Sequence, residues 1–319
     1  MAESGGDWGF CDSPFWDLDV TWRTDDPDFT PCFHETVLTY VPPLVLFLLL
    51  PFQVASFQKS GSAKLPLTIL LVTKLVLTSL LVILPLVDLG WLLISAEAPT
   101  APVHIVAAAV QVISYCTALG LLLLLRAKAQ VTSGTLFLFW LTSAVTGAVT
   151  FRSVVRSPWL DDLSTLATPS GVPLLTYTFQ YPLVVALLFL NFWADSPPHY
   201  KELEEENENP SPETKASFPS KMLFTWFDGM AWRGYRRVLT MQDLWTLNLA
   251  DRCRGVVPVW DKWWKRQVES KAGSATPQVS ILSTLVYSFG WEYSLSALLQ
   301  LLYTFIQFAS PEFVNLLIA

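Results

Sequence analysis

Residues 217–251 read SFPSKMLFTWFDGMAWRGYRRVLTMQDLWTLNLAD, a polar and aromatic stretch set between a fifth and a sixth apolar run. Met222, Leu223, Trp226, Phe227 and Met230 fall at i, i+1, i+4, i+5 and i+8, one stripe of a helix, while Lys221, Thr225, Asp228 and Arg233 take the other face. The spacing predicts an amphipathic helix. Arg233, Arg236 and Arg237 follow it as a basic knot, and Thr240 with Asp243 predicts a capping box for a second short helix carrying Leu244 and Trp245. The plain reading is a solvated connector whose aromatics pack locally. Three tryptophans beside arginines also suit a membrane surface or a partner's helices.

Working outward, the flanking sequence belongs to a membrane. The 319 residues are 52% hydrophobic and 15% charged, with a mean hydropathy of +0.42. Apolar runs at about 37–56, 74–94, 103–125, 135–151 and 174–194 are each long enough for a hydrocarbon core of roughly 30 Å. Pro42 and Pro43 are expected to bend the first span, and Ser143, Ala144, Gly147 and Ala148 predict close helix packing by the fourth. After the linker, residues 256–268 carry Trp260, Trp263 and Trp264 among basic residues, a second amphipathic helix begun at Pro258. A sixth long helix is expected over 281–308, broken by Ser310 and Pro311. Residues 312–319 read as the opening of another helix, so the chain is expected to stop inside an element.

The net charge of −7 comes from acids before the first span and in the run 202–213, which argues against a nucleic-acid partner. Lys59, Lys64, Arg126, Lys128 and the linker's twelve basic residues place the first and third loops and the linker in the cytoplasm. Arg152 and Arg156 count against this, partly balanced by Asp161 and Asp162. The leader is then expected outside, where Cys11 and Cys32 can pair, and Lys74 is expected to snorkel to the cytoplasmic boundary.

The run GMAWRGYRRVLTMQDLWTLNLAD, with FWDLDVTW and DPDFTPCF in the leader, resembles the multidrug resistance-associated proteins, subfamily C of the ATP-binding cassette (ABC) transporters, over nearly the whole chain. The resemblance implies an all-α membrane protein. Its expected parts are an extracellular leader (1–36), a five-helix transmembrane bundle (37–195), a cytoplasmic amphipathic linker or lasso (196–280) and the first helix of an incomplete transport core (281–319). The family carries a cysteine pair in its leader, which supports the Cys11 to Cys32 bond. It often has Asn where this chain has Asp19, and no Asn-x-Ser/Thr site occurs, so N-glycosylation is not expected.

No catalytic motif is present: there is no GxxxxGK[ST] phosphate loop, no GxSxG and no HExxH. No cofactor or metal is expected on this chain; ATP and Mg are expected for nucleotide-binding domains outside it. Asp88 and His104, near one level, offer a proton relay or, more plainly, structural hydrogen bonds. Glu292 is expected in a cytoplasmic extension of the sixth helix. Gln300, Tyr303, Thr304 and Gln307 form a polar stripe on that helix, which in the family borders the substrate cavity. Relatives exporting organic anions have Lys, His and Asp where this chain has Gln300, Tyr303 and Thr304, so glutathione conjugates are disfavoured.

The function implied is the amino-terminal part of an ATP-driven plasma-membrane exporter of organic anions, conjugates or drugs, serving docking, trafficking and regulation of the transport core. Met222, Trp226, Phe227, Arg233, Arg236, Arg237 and Trp245 would dock the lasso on membrane lipids and on the core. The alternative is a stand-alone regulatory module that binds another membrane protein without transporting.

Overall fold

Apolar runs with few charges give helices whose backbone groups are satisfied within the segment, the solution a bilayer demands. The computed structural model describes residues 9–11, 13–59, 64–94, 101–156, 171–197, 209–246, 253–271 and 280–318. Among them every long element is a helix and five helices are long and apolar enough to cross a membrane: α1 (Thr39–Lys59), α2 (Ile69–Ile94), α3 (Pro102–Ala127), α4 (Gly134–Arg156) and α5 (Gly171–Leu190). This is an integral membrane bundle. Ahead of α1, a turn at Pro31–Phe33 runs into a π-helical stretch, His34–Leu38. That stretch lies where Pro42 and Pro43 withhold donors from the carbonyls one turn back.

Helix α2 packs on α3 and α5, α4 packs on α1 and α5, and α1 also meets α3. Their shared core holds Leu46, Leu81, Tyr115, Phe139, Trp140 and Leu187, all nearly or fully buried, while Leu44, Ile83, Val145 and Phe179 turn outward as a lipid-facing surface requires. Polar side chains also go inward. Gln180 Nε2 on α5 donates to Gln111 Oε1 (3.2 Å) and Tyr115 Oη (2.9 Å) on α3, a link between helices that lipid cannot replace. Hydroxyls of Thr78, Ser114, Thr142 and Thr146 return to the carbonyl four residues back, so each of these four is satisfied within its own helix. Gly147 lets α5 approach: an added Cβ would stand 3.0 Å from the Tyr181 ring, and Tyr177 Oη donates to the Gly147 carbonyl at 3.2 Å.

Several boundaries differ from the sequence expectation, each for a physical reason. Helix α2 starts at Ile69 rather than at residue 74, so Lys74 lies inside it and is 3% exposed; it does not snorkel. Helix α5 stops at Leu190, where Asn191 N–H is shared by the Leu187 and Leu188 carbonyls at 3.1 Å. The chain then turns and delivers Asp195 to Lys74, Nζ to Oδ2 3.1 Å, with Trp193 O at 3.3 Å. Helix α4 runs on past Phe151 to Arg156 because its charged end has partners: Arg152 donates to Asp26 Oδ1 (3.0 Å) and to the Pro27 carbonyl (2.9 Å), and Arg156 also meets Asp26. Asp161, Asp162 and the side chain of Glu292 lie outside the described residues.

The chain forms two compact units, Met1–Leu244 and Trp245–Ala319. The first unit also holds a short linker helix, α6 (Asp228–Arg236), and the second is a helical hairpin of α7 (Cys253–Lys271) and α8 (Ile281–Ile318). Gln267 Nε2 donates to Ser283 Oγ (2.9 Å), and Trp263 stacks on Tyr287 with centroids 5.4 Å apart. Helix α7 begins five residues before Pro258, and α8 passes through Pro311 as one helix of 38 residues instead of breaking there. A proline inside a helix forfeits one hydrogen bond, which the apolar context of α8 tolerates as it does in α1, α2 and α5.

Candidate docking surface of the linker

The first unit extends to Leu244 because the linker is fastened to the end of the bundle where α4 begins. Phe218 N–H donates to Thr132 Oγ1 at 3.0 Å, and the Phe218 ring lies over Gly134 and beside Phe137, centroids 5.7 Å apart. Gly134 leaves the space: a Cβ there would come within 2.4 Å of the ring. Phe137 in turn meets Phe192 edge-on at 5.4 Å. Sequence reading missed Phe218, Thr132, Gly134 and Phe137; the only local hint is a glycine opening an apolar helix.

Beyond Phe218 the expected single helix over 222–230 is broken. A short helix, Phe218–Met222, ends at Leu223; Phe224 then adopts a left-handed backbone, φ 56°, and one 3-10 turn, Thr225–Phe227, leads into α6 (Asp228–Arg236). A left-handed residue re-aims the chain. The apolar residues therefore do not share one stripe. Met230 is buried, whereas Met222, Phe224 and Phe227 are exposed, and Trp226 meets Phe227 edge-on at 5.8 Å. Arg233 and Arg236 lie in α6 rather than after it, and α6 presents a pair the sequence reading did not select, Trp232 stacked on Tyr235 at 5.6 Å with the Arg236 guanidinium 4.8 Å over the indole. Trp232 is 56% and Tyr235 82% exposed, an unusual amount of ring to leave uncovered.

The segment closes on itself. Asn209 Nδ2 donates to the Leu244 carbonyl at 3.1 Å. The capping pair is present, with Asp243 Oδ2 accepting from Thr240 N–H (3.0 Å) and from the Thr240 hydroxyl (2.8 Å), and Arg237 held on Oδ1. It caps only the 3-10 turn Met241–Asp243; Leu244 is already extended, so no second helix carries Leu244 and Trp245. The Thr240 N–H bond, with help from the Thr240 hydroxyl and Arg237, holds the Asp243 carboxyl down at about 2. Its folded value lies below the ordinary ~3.9, so the stabilisation is present above about pH 4 and is lost as pH falls through about 2. The Thr240 amide resonance is expected to titrate with that low midpoint and to stop titrating in Asp243→Asn.

Of the other selected residues, Asp88 Oδ1 accepts from Thr176 Oγ1 at 2.6 Å and His104 Nδ1 lies 3.7 Å from Glu35, so each has a structural partner of its own. The sulfurs of Cys11 and Cys32 are bonded, with Cα atoms 5.6 Å apart. In the second unit, Gln300 and Thr304 line a shallow concavity on α8 with Tyr293, Ser296 and Phe305, while Tyr303 and Gln307 are exposed beside it. Trp245 belongs to that unit and Trp226 to the first. Among the described residues no His, Cys, Asp or Glu group is arranged to hold a metal.

Comparison with known proteins places these features. The ABC transporter TMD0 domain model matches residues 12–167. ATP-binding cassette sub-family C member 3 of Homo sapiens is 30% identical over 335 aligned positions, 97% of this chain and 22% of the relative, and its Mus musculus counterpart has the same identity and coverage. Sub-family C member 2 of Rattus norvegicus is 29% identical across 77% of this chain and 15% of its own length. This chain thus spans about a fifth of the length of these relatives.

Proposed function

Because this chain carries the TMD0 domain of ABC transporters and is homologous to the amino-terminal region of subfamily C, we propose that it is the membrane-anchoring and docking part of an ATP-driven exporter of organic anions, conjugates or drugs. In this reading it sits in the plasma membrane with its leader outside, and residues 196–280 act as a lasso on the transport core. The sequence holds no phosphate loop, so ATP and Mg belong to nucleotide-binding domains outside these residues and no step of hydrolysis runs through this chain. Its contribution is binding.

The observation that carries the proposal is the asymmetry of the linker. One end is locked to the bundle by Phe218, Thr132 and Gly134; beyond it Met222, Trp232 and Tyr235 are more than half exposed, near Arg233 and Arg236 in sequence. Trp232, Arg233, Tyr235 and Arg236 share α6, and Trp, Tyr and Arg are the residue types that dominate binding energy when a partner covers them. Helices of the core near the inner leaflet, with acids for the arginines, supply such a partner. At α8, Gln300 and Thr304 offer hydrogen bonds without a point charge, which favours neutral or amphipathic substrates over glutathione conjugates.

The test is co-purification of this chain with the separately expressed remainder of a subfamily C transporter. Phe227→Ala with Trp232→Ala is expected to weaken association at least tenfold, since anchor truncations cost about 2 kcal/mol or more. The melting of the bundle should not change, because both side chains are exposed. Full retention of the complex would overturn the docking role and leave the stand-alone regulatory module.

A further inference from the structure

The leader is fastened to the bundle at a defined depth. Helix α4 has 23 residues, about 34 Å at ~1.5 Å per residue, so it outruns a hydrocarbon layer of about 30 Å by less than one turn. Its last turn holds the leader: Ser153 Oγ donates to Asp28 at 2.7 Å, and Arg152 holds Asp26 and Pro27. One turn deeper, His34 Nδ1 meets Thr150 Oγ1 at 3.1 Å. A second register agrees, since Val103, in the first turn of α3, donates its N–H to the Phe10 carbonyl at 3.2 Å. A third is the continuous helical run Pro31–Gln58, whose 28 residues overshoot the hydrocarbon by about 12 Å.

At that level the leader shows rings. Phe29 and Phe33 stack at 4.8 Å, and Trp16 packs against both at 5.8 and 5.6 Å. Yet Trp16 is 42% and Trp22 74% exposed, and Leu18 and Val20 between them are exposed too. We propose that the disulfide-pinned leader is an interfacial anchor, with Trp16, Leu18 and Trp22 seated in the headgroup and upper acyl region of the leaflet on the leader side. Continuity supplies the occupant: Leu44 on α1 and Val145 on α4 turn outward to lipid, and the leader runs directly into α1 and is bonded to the last turns of α4. Indole rings favour that layer. Charge selects the lipid class. Asp17, Asp19, Asp25, Asp26 and Asp28 outnumber Arg23 together with Arg152 and Arg156, the two arginines of α4 that Asp26 holds, so zwitterionic lipid fits and anionic lipid is disfavoured.

The test uses the whole chain, labelled with 5-fluorotryptophan, in phosphatidylcholine nanodiscs. Trp22 and Trp16 are assigned by the fluorine resonances lost in Trp22→Phe and Trp16→Phe, two independent reporters should one variant fold poorly. Phosphatidylcholine carrying a nitroxide at the headgroup or upper chain should remove most of the intensity of both signals, while an aqueous gadolinium chelate should spare them. Bleaching by the chelate without bleaching by the lipid would place the leader in water and overturn the proposal. Protection from both would mean that protein, a second copy included, covers the rings, and would overturn it equally.

Discussion

Lys74→Met is expected to destabilise the bundle by about 3–5 kcal/mol, the range for removing one partner of a buried ion pair. Both side chains are nearly inaccessible, at 3% and 10%, and the ammonium meets Asp195 Oδ2 at 3.1 Å. Burial pushes the Asp195 carboxyl up and the ammonium only partly pulls it back. Its second oxygen, Oδ1, is buried with no partner among the described residues, so loss of the ammonium leaves a carboxylate with almost no compensation. The backbone contribution survives the substitution, because Asp195 N–H donates to the Val131 carbonyl at 2.9 Å. Lys74→Met combined with Asp195→Leu should therefore recover most of the loss, as apolar replacements of whole buried pairs often do. Thermal unfolding of the single and double variants in one detergent measures this. Additive losses in the double variant would show that the two charges do not depend on each other.

That pair also marks what the sequence could and could not disclose. Five spans were legible because an apolar run of sufficient length has one physical outcome in lipid, and the run alone carries the information. The Thr240 and Asp243 cap was legible for the same reason: its partners are three residues apart. Helix ends were not, wherever a charge is answered from afar. Lys74 and Asp195 are separated by 121 residues, and Arg152 finds Asp26 at a separation of 126, so a window around either cation sees only a boundary signal. Phe224 shows a different failure. Its apolar neighbours keep helical spacing, but the chain turns left-handed there and α6 starts again with another face, which leaves outward Trp232 and Tyr235, two rings that pattern reading did not select.

The seat of the linker gives a second large effect with a sign opposite to the local expectation. Gly134 is the first residue of α4; Gly→Ala stabilises a helix interior by roughly 0.5–1 kcal/mol and is expected to be mildly favourable at its start. Here the new methyl would meet three Phe218 ring carbons at 2.4, 2.8 and 2.9 Å. The ring is the free end of its side chain and can swing away, but only by leaving Phe137, with the Phe218 N–H bond to Thr132 at 3.0 Å strained in consequence. Gly134→Ala is thus expected to leave the bundle as stable as before, or slightly more so, while weakening the linker's attachment by about 1–3 kcal/mol, the usual penalty for overpacking. Amide exchange should report it as a rise of about five- to 150-fold across residues 218–236, with no change in α1 to α5. Phe218→Ala in the same background removes the clash along with the anchor, so the double variant should exchange no faster than Phe218→Ala alone. Exchange in Gly134→Ala that matches the parent chain would mean that the ring does not occupy the place over Gly134, and that the linker is held to the bundle by something other than Phe218.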